Sequence, residues 1–115
     1  MIKRRRVDAD HLQDAVEHFQ VLDDHLRRGG LDDVLVRDAV SHRLEVAIDA
    51  ISRVSPELLD SEAPDDWPKI VAMRNMLAHQ YADLDPDILQ NTIDHRLGDL
   101  RDLITRLDTA IRRSL

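Results

Sequence analysis

The stretch Ile70-Val71-Ala72-Met73-Arg74-Asn75-Met76-Leu77-Ala78-His79-Gln80-Tyr81 carries a helical repeat of apolar residues. At about 100° per residue, four of its side chains fall within a stripe about 80° wide, those of Ile70, Met73, Leu77 and Tyr81. Such a stripe predicts an amphipathic helix whose apolar face packs against other helices. The same stretch holds an arginine, an asparagine, a histidine and the only tyrosine of the chain.

Two helices are predicted before this stretch. Apolar residues recur every three or four positions over residues 9–28, and Asp8 or Asp10 can cap the start of that helix. A second helix is predicted over residues 32–54, where Pro56 stops it. The recurring apolar positions suit helices that pack in a bundle.

The breakers around the motif set the remaining boundaries. Residues 55–66 hold two prolines and are predicted to form a loop, after which Asp65 or Asp66 caps the motif helix. Beyond the motif, Asp85-Pro86 is a cap followed by a first helical residue, and it predicts a final helix with a kink or short break near residues 95–99.

Composition favours a single helical domain over residues 1–115. The chain of 115 residues is 43% hydrophobic and 34% charged, and no strand-like alternation occurs in it. The expected fold is all-α, an up-and-down antiparallel bundle of four to five helices. The absence of cysteine excludes disulfides and thiolate metal sites. No apolar run reaches the roughly 20 residues that span a bilayer, so we expect a cytoplasmic protein without a membrane partner.

The charge of the chain bears on its partners. A formal net charge of -7 gives no overall attraction to nucleic acid, so an RNA partner requires a local basic site or one that oligomerisation creates. The basic run from Lys3 to Arg6 could contact phosphate, but a frayed and solvated end of the helix is the stronger expectation.

Helical geometry divides the polar residues of the motif. Arg74 lies at the edge of the apolar stripe and therefore needs a carboxylate partner, because an unpaired charge there is unfavourable. The candidate partners on the second helix are Asp38, Glu45 and Asp49. Asn75 and His79 share the opposite face. Arg74 and His79 are then about 140° apart, so either the helix unwinds near His79 or two chains share one site.

Trp67 and Ile70 lie near the start of the motif helix. After them come an arginine-asparagine pair, a histidine four residues later and a tyrosine two further on. This pattern resembles the HepT family of HEPN-domain proteins. The resemblance implies a homodimeric HEPN-like bundle and a metal-independent ribonuclease that uses Arg74-X4-His79. It also implies a toxin of a type VII-like HepT/MNT toxin–antitoxin system, silenced when an MNT-type nucleotidyltransferase antitoxin transfers AMP onto Tyr81. The order Asp66-Trp67-Pro68 departs from the family, which often has proline before tryptophan.

The implied chemistry needs neither a cofactor nor a metal ion. His79 would take the proton of the RNA 2′-hydroxyl, since histidine is the motif residue that exchanges protons near neutral pH. Arg74 would bind the phosphate and stabilise the charge that develops on its oxygens. Asn75 would orient His79 or the phosphate, and AMP on Tyr81 would place a bulky anion beside the same pocket.

Two other classes of function stay open. One is a non-catalytic HEPN binding module that partners a nucleotidyltransferase, and the other is a structural helical bundle. The outward placement of Asn75 beside His79 disfavours the structural bundle, because a purely structural helix has no need of it.

The seven-residue spacing of three histidines puts them about 10 Å apart, too far to share one metal ion. We therefore assign no role to His11, His18, His25, His42 or His95.

Overall fold

The chain is all-α, as its composition predicts. The computed structural model describes residues 2–79 and 85–114, and within them it contains five helices and no strand. The helices are α1 (Ile2–Arg28), α2 (Val34–Ser52), α3 (Pro56–Glu62), α4 (Asp66–His79) and α5 (Pro86–Arg113). None of them is long and apolar enough to cross a membrane, as far as the described residues show.

The long helices pack side by side in opposite directions. Asp8 of α1 contacts Ser55 just beyond the end of α2, whereas His18 contacts Arg43 further back along α2, so α1 and α2 are antiparallel. The helices enclose a core of aliphatic side chains, to which Phe19 adds a buried aromatic ring. The largest fully buried side chains include Leu22, Leu44, Ile48, Ile51, Leu77, Leu100, Leu103, Leu107 and Ile111. Burial of this apolar surface is the main force that stabilises the bundle.

The first helix begins earlier than the sequence predicts. It starts at Ile2, and Asp8 does not cap it but lies inside it, fully buried. The carboxylate of Asp8 accepts hydrogen bonds from the amide and the hydroxyl of Ser55, at 2.9 and 2.6 Å. The expectation of a frayed basic end is also wrong, because Arg5 pairs with Asp8 at 3.1 Å and Arg4 donates to Ser55 at 2.8 Å.

The segment that we predicted to be a loop contains a short helix. Pro56 occupies the first turn of α3 and Ser55 its N-cap position, while Leu58 and Leu59 are buried against the core. A proline stops a helix that precedes it, but it suits the first turn of a helix that follows. The loop prediction was therefore wrong over residues 56–62, because it read Pro56 only as a stop signal.

The last helix has the predicted start but not the predicted break. The carboxylate of Asp85 accepts a hydrogen bond from the amide of Asp87 at 2.8 Å, which confirms the predicted cap of the last helix. The predicted break near residues 95–99 is absent, since α5 is continuous from Pro86 to Arg113. Gly98 lies on its exposed face, while Leu97 and Leu100 on the other face are buried, so packing keeps the helix intact.

Candidate active site

The apolar face of α4 fixes the orientation of the motif. Ile70 and Leu77 are buried, and Met73 and Met76 are half-buried beside them. The predicted stripe is therefore confirmed as far as Leu77. Tyr81, the predicted fourth member of the stripe, lies outside the described residues, so its predicted role as the AMP acceptor stays a prediction.

Arg74 is held by two carboxylates of α2. Its Nε donates to Oδ1 of Asp49 at 2.8 Å, and its Nη2 donates to Oδ2 of the same carboxylate at 3.0 Å. Glu45 lies within 3.3 Å of Nη2. Of the three predicted partners, Glu45 and Asp49 are confirmed, whereas Asp38 is exposed and makes no ion pair with Arg74. The bidentate geometry fixes the plane of the guanidinium.

The pair also sets the charge of this part of the surface. The hydrogen bonds to Asp49 hold the pKa of Arg74 above its ordinary value, burial opposes this, and the attraction of Asp49 and Glu45 adds to it. A raised pKa means that the guanidinium stays protonated at every pH where the protein works. One cation and two carboxylates leave the cluster with a formal charge of about -1 at neutral pH. The side chain of Arg74 remains 29% exposed, so solvent and ligands can reach it.

Asn75 and His79 lie on the opposite side of the same helix, and both are exposed. The helix is regular through His79, its last residue, so it does not unwind at the histidine. Arg74 and His79 therefore point about 140° apart. This regular helix as far as His79 agrees with the second of the two arrangements that the sequence allowed, and a site shared by two chains stays a prediction.

A groove between α4 and α5 borders this exposed face. Its volume is about 610 Å³, and its apolar surface comes from Ile70, Met73, Met76 and Ile88. Ala72, on the same face as Asn75 and His79, lines its edge. The sequence could not predict this groove, because it depends on how far apart the two helices lie. In the structure, one sign of the groove is that Ile88, a large apolar residue that lines it, is exposed.

The other histidines do not join the motif. His18 accepts a hydrogen bond at Nδ1 from Nη1 of Arg43 of α2, at 3.0 Å, and so belongs to the contact between α1 and α2. Within residues 2–79 and 85–114, no group of three or more histidine, aspartate or glutamate side chains is arranged to hold a metal ion. The contacts give no role to His11, His25, His42 or His95.

The fold and the motif together define a class of protein, a small all-α bundle whose fourth helix carries an arginine fixed by the second helix and an exposed histidine five residues on. Residues 9–107 match the family described as Ribonuclease HepT-like. The chain belongs to this family, since the match covers most of its length and all five helices in whole or in part. No curated protein sequence and no solved structure matches the chain closely enough for comparison.

Proposed function

We propose that this chain is the ribonuclease toxin of a HepT/MNT toxin–antitoxin system. It cleaves RNA without a metal ion, at a site that two copies of the chain form together. A nucleotidyltransferase antitoxin neutralises it by transferring AMP to Tyr81. Membership of the HepT-like ribonuclease family supports the activity, and the placement of Arg74 and His79 on one regular helix supports the site.

The observation that carries the proposal is the fixed guanidinium of Arg74 at an accessible edge of the bundle. Two hydrogen bonds to Asp49 hold it in one plane, yet nearly a third of the side chain is exposed. A pre-oriented guanidinium stabilises charge that develops on phosphate oxygens without reorganising during the reaction. The exposed imidazole of His79 is then within reach of an RNA strand from solvent.

The proposed reaction is an internal transfer at phosphorus. His79 takes the proton of a ribose 2′-hydroxyl, and the 2′-oxygen forms a bond to the adjacent phosphorus. The bond from phosphorus to the 5′-oxygen of the next nucleotide breaks, and that oxygen takes up a proton from an acid or from water. Arg74 stabilises the negative charge on the two non-bridging oxygens. The products carry a 2′,3′-cyclic phosphate and a 5′-hydroxyl.

A shared site follows from the angle between the two side chains. One regular helix directs Arg74 and His79 about 140° apart, so a single chain does not present both to one phosphate. A homodimer that brings the two α4 helices together can place Arg74 of one protomer opposite His79 of its partner. Asn75, next to His79 on the exposed face, would then orient the imidazole or the phosphate.

Regulation through Tyr81 rests on the family resemblance and on sequence position. Tyr81 follows His79 by two residues. An attached AMP would add an anion and a bulky nucleoside close to the proposed site, so that it repels and blocks a substrate phosphate. Peptide mapping after incubation with the antitoxin and ATP tests this part of the proposal. AMP on any residue other than Tyr81 would contradict it.

Cleavage of RNA by the purified chain in EDTA tests the catalytic part. We expect the His79→Ala variant to lose at least about a hundredfold in rate, the usual contribution of a general base, while its circular dichroism is unchanged. The matched control is His95→Ala, which removes an exposed histidine from α5 and should cleave at the wild-type rate. Full activity of the His79→Ala variant, or products without a 2′,3′-cyclic phosphate, would contradict the assignment.

One observation favours a second function, a non-catalytic module that partners a nucleotidyltransferase. Asp49 and Glu45 already neutralise Arg74, and a neutralised cation attracts phosphate weakly. Expression in a bacterial host separates the two functions. A toxin should arrest growth, and His79→Ala should relieve the arrest, whereas a binding module should leave growth unchanged in both forms.

A further inference from the structure

We propose that a basic patch of Lys3, Arg4, Arg6 and Arg53 binds the phosphates of the RNA strand that leads to the candidate site. The proposal rests on the ribonuclease function and extends it to the surface that holds the substrate. A chain with a net charge of -7 needs such a local site, and the run Lys3 to Arg6 is its longest run of like charge.

The patch is held in place by a buried network. Asp8 is fully buried and accepts three hydrogen bonds, two from Ser55 and one from Arg5. The hydroxyl of Ser55 in turn accepts a hydrogen bond from Nε of Arg4 at 2.8 Å. The first two turns of α1 are therefore fixed to the start of α3. A charged helix end that served only as a solvated surface would need no such attachment.

The network also makes the patch cationic. Asp8 is the acidic residue nearest to the basic run, and its charge is turned inward and paired with Arg5. Lys3, Arg4 and Arg6 remain exposed on the outside of the same two turns. Along the chain, Asp10 follows Arg6 by four residues and Glu57 follows Arg53 by four, and both carboxylates are exposed.

Arg53 connects the patch to the candidate site. It is exposed at the C-cap of α2, two residues before Ser55 and one helical turn beyond Asp49, the partner of Arg74. Asp49 lies three residues before the end of α2, and Ser55 lies three residues beyond that end. Along this stretch the cations are attached in the order Arg74 at Asp49, Arg53 at the C-cap of α2 and Arg4 at Ser55.

Fluorescence anisotropy with a labelled RNA that cannot be cut tests the proposal. The probe is a single strand of about twelve nucleotides with 2′-O-methyl groups throughout, a length that spans the patch and the site. We compare the full-length wild type, Lys3→Ala/Arg6→Ala, Arg53→Ala and the control Arg27→Ala/Arg28→Ala. The control removes the same charge from two exposed arginines at the other end of α1.

We expect the Lys3→Ala/Arg6→Ala variant to bind roughly tenfold more weakly at low salt, and Arg53→Ala to bind several-fold more weakly. The slope of log affinity against log salt should become shallower by about 1.4 for the double variant, because two phosphate contacts are lost. The control should bind within about twofold of the wild type.

Three results would overturn the proposal. The first is unchanged affinity and salt slope in the patch variants. The second is an equal loss in the control, which would point to overall charge. The third is that the patch variants lose binding to anionic lipid vesicles but still bind the RNA like the wild type. That result would assign the patch to a membrane surface. The probe cannot be cleaved, so this assay measures binding alone. If the chain were not a ribonuclease, that failure would appear in the cleavage assay and could be told apart from a failure of RNA binding by the patch.

Discussion

At the scale of single residues, the proposed function gives Arg74 two tasks that conflict. As an ion pair it joins α4 to α2 through Asp49 and Glu45. As a phosphate ligand it must offer its charge to a substrate that is itself an anion. The bidentate contact uses Nε and Nη2, so a phosphate can approach from the side of Nη1 without breaking both hydrogen bonds. Asp49 then acts as a positioning residue that also weakens the attraction for substrate.

The Asp49→Asn variant separates these two effects. Removal of the charge should lower the free energy of unfolding by about 0.5–1 kcal/mol, the range of partly exposed ion pairs. The KM for RNA should fall, because the cluster loses a negative charge, and kcat should fall because the guanidinium is less firmly oriented.

Steady-state cleavage and urea unfolding measure these changes. The control is Asp38→Asn, which neutralises an exposed carboxylate of α2 that makes no ion pair with Arg74. Equal kinetic effects of the two substitutions would show that Asp49 acts only through the overall charge.

At the scale of elements, local signals predicted what depends on neighbouring residues. The stripe on α4, the cap at Asp85 and the carboxylate partners of Arg74 all follow from spacing along one helix or from charge pairing. The sequence misled where packing decides the outcome. Gly98 weakens a helix locally, yet the buried leucines of α5 keep it continuous, and Pro56 starts α3 because Leu58 and Leu59 find a place in the core.

Gly98→Ala should therefore stabilise the chain. The position is exposed in the middle of α5, and no atom lies within 4 Å of the added Cβ. Replacement of glycine by alanine in such a place should raise the free energy of unfolding by about 0.5–1 kcal/mol. Thermal unfolding measures the gain.

The control is Gly30→Ala, where the added Cβ would meet Oδ1 of Asp32 at 2.6 Å. That variant should gain nothing. A destabilised Gly98→Ala variant would contradict the continuous helix.

The buried network between α1 and α3 gives a second prediction at this scale. Asp8→Ala removes the acceptor for the amide and the hydroxyl of Ser55, which stays buried. Unsatisfied buried donors should lower the free energy of unfolding by about 2–4 kcal/mol.

Asp10→Ala, two residues along the same helix and exposed, is the control and should change stability by less than about 0.5 kcal/mol. Equal stability of both variants in urea unfolding would show that the network does not hold α1 to α3.

At the scale of the whole molecule, the family and the all-α fold could be predicted from the sequence. The net charge around Arg74 and the number of chains that form the proposed site could not. The sequence predicted Arg74, Asn75 and His79 as site residues, and helical geometry already placed them on two faces. Whether α4 unwinds could not be predicted, because unwinding depends on the packing of Leu77 in the core. A regular α4 is what the proposal of a site shared by two chains requires.

The central claim is a ribonuclease site that combines Arg74 of one protomer with His79 of its partner. Its most direct test is RNA cleavage by an equimolar, refolded mixture of the Arg74→Ala and His79→Ala variants, each of which should be inactive alone. Half of the dimers in the mixture pair the two variants, and each of these has one intact site of its two shared sites. Activity should therefore recover to about a quarter of the wild-type level. A mixture as inactive as its two components would contradict the account.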